Sequence, residues 1–276
     1  MLKIKKNLKK EKTILMKNFN KNLKIIKSDI ISAVYRAKKG HLGGSLSSAD
    51  IIYYLYSKKI VETFLGKPTK NSFILSKGHS SLALLSVVNF VNKNKYKSYL
   101  NKFNLDGSLS GNNCSEKVPG FEFHTGSLGH GVGLACGVAL AKKKKNVKGK
   151  TIVLISDGEL HEGSIFEGLL FADQHKLDLT VIIDNNSQIC EGYTKNIIHT
   201  KKFIRFLKNN FQSIQIDGHK LNELKKIDNL LKKKGLKIAI LNTIKGKGIK
   251  FMENVIRWHH SVPNKKEYIN ALKDLS

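Results

Sequence analysis

The chain is predicted to be an α/β protein, a parallel sheet with helices on both faces, and two observations carry that expectation. From Thr151 onward, short apolar runs alternate with helix-length segments, the signature of parallel strands joined by crossover helices. The run 151–155 ends in Ser156-Asp157-Gly158-Glu159. After a helix-length gap, the run 180–183 ends in Asp184-Asn185-Asn186. If both runs are parallel strands, their endings share one sheet edge, where open α/β sheets receive ligands. A carboxylate and an amide oxygen placed there suit a hard divalent cation that also takes phosphate oxygens.

Leu23, Ile26, Ile30 and Val34 recur at helical spacing, so residues 20–38 are expected to form an amphipathic helix. Lys39-Gly40-His41-Leu42-Gly43-Gly44 is too glycine-rich to continue it, and Ser48 is positioned to cap a second helix over 49–56. Residues 73–76 are expected as a short buried strand, followed by Lys77-Gly78-His79 and a helix over 80–91. Residues 101–123 have no sustained period and predict a long loop of the kind that is usually functional or disordered. Thr125-Gly126-Ser127-Leu128-Gly129-His130-Gly131-Val132-Gly133 opens a small-residue helix to Ala141. Two further strands are expected over 211–216 and 238–243, with a helix over 221–234 between them. No internal repeat or linker interrupts 20–276, which is expected to form one domain behind a basic, disordered tail over 1–19, with Met16 as an alternative start.

The formal charge of +28 invites a nucleic-acid reading. The basic residues include only three arginines, Arg36, Arg205 and Arg257, and the lysines are spread along the chain. Phosphate and base readers favour the bidentate arginine fork, so no nucleic-acid partner is expected. The dense run 142–145 is expected as a solvated loop. Cys114, Cys136 and Cys190 have no CxxC spacing, which fits a reducing cytoplasm. No apolar run approaches the roughly 18 residues of a membrane span, and no membrane partner is expected.

Singly, the motifs have ordinary readings. Gly126, Gly129, Gly131 and Gly133 either permit close helix–sheet packing or let amides approach an anion. Asp157-Gly158 fits a tight strand–helix turn, and Asn186 fits a turn tolerant of left-handed geometry. Taken jointly and in order, they resemble the thiamine-diphosphate motif, and the fuller string 156–163 with 171–178 resembles transketolase. The resemblance runs over roughly 30–266 and includes Lys39-Gly40-His41, Leu75-Ser76-Lys77-Gly78-His79, Pro119-Gly120-Phe121-Glu122 and Lys245-Gly246-Lys247-Gly248.

The resemblance implies a thiamine-diphosphate diphosphate-binding domain. Asp157, Asn186 and the carbonyl of Gln188 are expected to hold Mg²⁺ (or Ca²⁺ or Mn²⁺ in its place). His79, Gly126, Leu128, Gly158 and Glu159 are expected around the cofactor, with core packing as the other reading of Leu128. His41, His79 and His259 match imidazoles beside the reacting carbon, which suit proton transfer near neutral pH; His260 competes with His259 for its role. The family's His-Pro pair after a glycine is absent. Asn112 stands there instead, able to hydrogen-bond a sugar hydroxyl but not to shuttle a proton, so ordinary pentose-phosphate specificity is in doubt. Glu162 and Glu167 match acidic residues of the family's dimer interface, against a helix-dipole reading for Glu162 and an exposed position for Glu167.

The resemblance stops before the family's pyrimidine-binding and third domains. The implied protein is therefore the N-terminal subunit of a split transketolase, transferring a two-carbon ketol unit between sugars. Its partner would be a C-terminal subunit in an α2β2 heterotetramer. Rival expectations are a subunit like 1-deoxyxylulose-5-phosphate synthase or a 2-oxo acid dehydrogenase, and, from another class, a basic scaffold or nucleic-acid binder.

Overall fold

The computed structural model describes residues 16–197 and 199–276. Of the expected tail, 1–15 lie outside the described residues, whereas Phe19 is buried and Met16 packs against the core. The elements run α1 (Phe19–Ala37), α2 (Leu42–Ser57), β1 (Ser72–Leu75), α3 (Ser81–Val91), α4 (Lys97–Asn101), α5 (His130–Lys144), β2 (Thr151–Ser156), α6 (Gly163–Gln174) and β3 (Leu179–Asn185). There follow α7 (Thr194–Ile197), α8 (Thr200–Asn210), β4 (Gln212–Asp217), α9 (Leu221–Leu224), α10 (Lys226–Leu230), β5 (Lys237–Asn242) and α11 (Lys265–Leu275).

All strand pairs are parallel, in the order β1-β2-β3-β5-β4. The central strands are buried on both faces, and residue parity separates two cores. Ile152, Leu154, Ile182, Ala239 and Leu241 join one core with α1, α2 and α3. Val153, Ile155, Val181, Ile183, Ile238 and Ile240 join the other with α5 and α6. The predicted fold class is therefore the observed one.

Three local expectations are corrected. Helix α2 begins at Leu42, not after Ser48, and all its residues are buried. Its two glycines are not helix breakers here. A Cβ at Gly43 would lie 2.8 Å from Lys245 Cγ, and one at Gly44 would lie 3.1 Å from Ser80 Oγ, so they let other site residues approach the helix. The lysine run is not a loop: Lys142 sits in the last turn of α5, its ammonium donating to the Lys150 carbonyl at 2.8 Å and to Ser72 Oγ at 3.0 Å. The helix expected over 221–234 is two short helices, the second ending at Leu230.

Because every strand points the same way, all five carboxyl ends open on one edge. Lys77 follows β1, Asp157 follows β2, Asn186 follows β3 and Lys245 follows β5. That edge carries the candidate site.

Candidate active site

A cavity of about 290 Å³ lies over this edge, lined by His41, Lys77, His79, Leu128, Asp157, Gly158, Glu162, Asn186, Gln188, Lys245 and His259 among others. A larger crevice of about 670 Å³ borders α7 and α8. It has basic and neutral walls without a carboxylate, so the smaller cavity is where acid, amide and imidazole groups converge.

Asp157 is the pivot. It is buried, accepting from the backbone amides of Gly158 (3.0 Å) and Ser187 (2.6 Å). Burial, then the nearby Asp184 carboxylate, pushes its carboxyl up to about 7. The Lys77 and Lys245 ammoniums offset this only in part, and a buried carboxyl in that state gains from a further cation beside it. The surrounding donors are hard oxygens. Asn186 Oδ1 accepts from Gln188 N at 3.1 Å, and the Gln188 carbonyl accepts from Lys245 Nζ at 3.3 Å. Carboxylate, amide and carbonyl oxygens fit Mg²⁺ or Ca²⁺ and exclude a thiolate-seeking ion. Gly158 lines the same cavity, where a Cβ would stand 3.0 Å from Ile189 Cγ2, so a side chain there would crowd the cradle.

Behind Asp157 lies an ion pair that the sequence reading missed. Lys77 and Asp184 are both buried, and their side chains bond directly. Asp184 also accepts from Ser47 (2.7 Å), Ser48 (3.1 Å) and the Thr243 hydroxyl. Burial alone would raise its carboxyl, but the Lys77 ammonium and these donors hold it below the usual carboxylate range. Lys245, also missed, is lowered to about 8 by burial and by Lys77; its ammonium meets His259 Nδ1 at 2.8 Å. Both lysines sit inside motifs that the family resemblance used. The available signal for Asp184 was a charge at the end of an otherwise apolar strand, which demands a buried partner.

The imidazoles converge as expected. Ring centroids of His41 and His79 are 5.5 Å apart, and those of His41 and His259 are 5.4 Å apart. Their charge state is set by burial and by neighbouring cationic groups. Burial, then the neighbouring His260, lowers His41 to about 4, and burial with Lys245 lowers His259 to about 3. His79 falls well below its ordinary value through burial and Lys77. These rings are neutral near pH 7, so they hydrogen-bond as neutral imidazoles rather than titrate there.

Four predicted residues do not line the cavity. Glu159 is fully buried, accepting from Ser156 N (2.7 Å), Gly129 N (3.1 Å) and the Ser76 hydroxyl. It ties the ends of β1 and β2 to the start of α5. Gly126 is exposed outside the cavity, and a Cβ there would lie 2.9 Å from Asn113 Nδ2. Asn112 stands behind His41 and hydrogen-bonds its ring. Glu167 is exposed on α6, whereas Glu162 is exposed at the cavity rim. Within the glycine motif, a Cβ on Gly131 would lie 2.7 Å from Ser76 Cα and Gly129 takes φ +80°, so these two positions serve close packing, whereas a Cβ on Gly133 would meet open space.

Known proteins share this architecture. The family model for the transketolase thiamine diphosphate binding domain matches residues 18–275. One of the subunits of the apulose-4-phosphate transketolase of Phocaeicola vulgatus is 34% identical, over 90% of this chain and 90% of its own length. The 6-deoxy-6-sulfo-D-fructose transketolase subunit SqwG of a Clostridium species is 30% identical, over 91% of this chain and 94% of its own length. The crystal structure of Campylobacter jejuni transketolase superimposes with a TM-score of 0.80 at 26% identity, over 95% of this chain but 42% of that one. The chain thus spans about two-fifths of that solved transketolase. It belongs to the transketolase family, matching the thiamine diphosphate binding domain across nearly its whole length.

Proposed function

We propose that this chain is one subunit of a two-chain, Mg²⁺-dependent transketolase that moves a two-carbon ketol unit from a ketose to an aldose. The observation that carries the reading is Asp157, a buried carboxyl held up to about 7 beside the oxygen donors of Asn186 and Gln188. Those three residues would hold the cation, and the cation would hold the diphosphate over Gly158. Bound thiamine diphosphate supplies a carbon nucleophile and an electron sink for carbon–carbon cleavage.

The chain's own residues bind and orient. Neutral His41, His79 and His259 face the space above Asp157, where their nitrogens can donate to or accept from sugar hydroxyls. Asn112 hydrogen-bonds His41 and thereby fixes the ring that meets the sugar, with a hydroxyl of the sugar itself within its chemistry as a ligand. Lys245 carries charge to the cavity floor, where it faces both the Gln188 carbonyl and His259.

A second polypeptide is supported by the relatives matched along 87–94% of their length, which are called subunits. Homo sapiens transketolase is matched over only 37% of its length. That partner would supply the pyrimidine-binding domain, in an α2β2 assembly with Glu162 and Glu167 at the contact. The three cysteines are free thiols, as suits a reducing cytoplasm. Among the described residues, no helix is long and apolar enough to cross a membrane. The sugars of the named relatives differ from one another, so a panel of ketose phosphates and non-phosphorylated ketoses is the appropriate screen.

The test is reconstitution. Purified chain, thiamine diphosphate and Mg²⁺ should show no ketol transfer until the second polypeptide is added, and Asp157→Ala should abolish the restored activity. Turnover by the chain alone would overturn the two-chain reading, and full activity of the variant would overturn the metal-site reading.

A further inference from the structure

Lys245 is held more firmly than a charge on the cavity floor needs to be. It is buried, and the backbone around it is tied at three points. Ile244 N donates to His219 Nε2 at 2.8 Å, Gly246 N donates to the Gly43 carbonyl at 3.1 Å, and Asn254 N donates to the Lys245 carbonyl at 2.9 Å. His219 is itself anchored: its Nδ1 bonds Asp50 Oδ1 at 3.1 Å, and the buried Asp50 pairs with Lys27 at 2.7 Å. Gly43 lets the lysine stem cross α2, since a Cβ there would stand 2.8 Å from Lys245 Cγ. From this anchor the ammonium reaches the Gln188 carbonyl at 3.3 Å and His259 Nδ1 at 2.8 Å.

His259 is fixed from the other side. It follows Trp258, which is buried and donates from its indole nitrogen to the Phe251 carbonyl at 3.2 Å. Of the two adjacent imidazoles, His259 lines the cavity and His260 is exposed. Hydrogen-bond chemistry then decides which nitrogens carry protons. An ammonium has donors and no acceptor, so His259 Nδ1 is the bare, accepting nitrogen. A neutral imidazole holds one proton, which is left on Nε2. His219 obeys the same logic in the opposite sense. The Ile244 amide can only donate, so His219 Nε2 is bare and Nδ1 carries the proton that Asp50 accepts.

We propose that Lys245 is a positioning residue that locks His259 in its Nε2–H form, making this ring an obligatory hydrogen-bond donor to the substrate. The group it selects is an oxygen acceptor. A carbonyl oxygen, or an oxygen gaining negative charge as the sugar reacts, meets a preset N–H instead of a ring free to present a lone pair. The tautomer stands on the geometry alone. That the acceptor is a sugar oxygen rests on the transketolase reading above.

The test is long-range proton–nitrogen NMR of the full chain labelled with ¹⁵N-histidine, near neutral pH, with His259→Gln and His219→Gln used for assignment. His259 should show one neutral form, with the proton on Nε2 and with Nδ1 displaced as a hydrogen-bond acceptor. Lys245→Met should return Nδ1 toward the position of an unbonded nitrogen, while His219 keeps its proton on Nδ1 and so reports an intact loop. A His259 proton on Nδ1 in the native chain would overturn the proposal whatever the variant does, and so would a His259 Nδ1 signal that Lys245→Met leaves unmoved. In the reconstituted enzyme, Lys245→Met and His259→Ala should each lower kcat/KM at least about tenfold, and the double variant should lose no more than the larger single loss. Losses that multiply would overturn the positioning role. The spectra need no turnover, so failure of this proposal is distinct from a failure to reconstitute transketolase.

Discussion

Replacing Asp157 with Asn should stabilise the chain while removing the carboxylate proposed to hold a cation. The folded carboxyl titrates at about 7 against an ordinary 3.8. Holding it ionised at pH 8 therefore costs up to about 4 kcal/mol relative to the unfolded chain. The sign follows from the raised value: the penalty is absent below the unfolded value and complete once pH has risen through about 7. Asn removes that penalty, but its NH₂ cannot accept from one of the two amides, Gly158 N or Ser187 N, that Asp157 now satisfies. That loss costs about 1–3 kcal/mol. The net expectation is a gain of roughly 1–3 kcal/mol for Asp157→Asn at pH 8. Urea unfolding from pH 8 to pH 5 should show the advantage shrinking by about 2–3 kcal/mol as the native protein takes up its proton. Mg²⁺ with inorganic pyrophosphate should stabilise the native protein and not the variant. A difference that does not change with pH, or a variant clearly less stable at pH 8, would show that Asp157 is not held protonated by its surroundings.

Lys77→Met strips the buried partner from Asp184 and should cost about 3–5 kcal/mol in urea unfolding; adding Asp184→Asn should recover much of it, because the uncompensated charge is then gone. Gly131→Ala places a Cβ 2.7 Å from the Ser76 backbone. Overpacking of about 1–3 kcal/mol should outweigh the roughly 1 kcal/mol gain in helix propensity and lower the melting temperature. His41 is neutral in the fold and lowered to about 4, so its contribution is complete above the ordinary value near 6.5 and is lost as pH falls toward 4. Discounted for partial exposure, that is about 1–2 kcal/mol. His41→Asn should accordingly lose that much less stability than the native protein between pH 7 and pH 4.5.

The strands were legible because burial on both faces leaves continuous apolar runs, and residues 151–155 and 180–183 fall inside β2 and β3. The shared edge followed from the single crossover between them, so Asp157 and Asn186 could be placed together before any coordinates. What sequence could not supply was the second side of each contact. Gly43 and Gly44 read as breakers until Lys245 and Ser80 are seen against them. Glu159 sits beside Asp157 in the motif, yet its position in the turn sends it inward to Gly129 and Ser76. The fold brings the imidazoles of His41, His79 and His259 together, but their neutrality depends on burial and on Lys77 and Lys245, which come from distant strand ends.

Asp157 and Asn186 are proposed to hold a divalent cation against a diphosphate. Electron paramagnetic resonance of Mn²⁺, added to the chain with thiamine diphosphate and the second polypeptide, tests it most directly. One tightly bound Mn²⁺ with phosphorus hyperfine coupling, lost in both Asp157→Ala and Asn186→Ala, is the predicted result. Bound Mn²⁺ without phosphorus coupling, or coupling that survives either substitution, would contradict it.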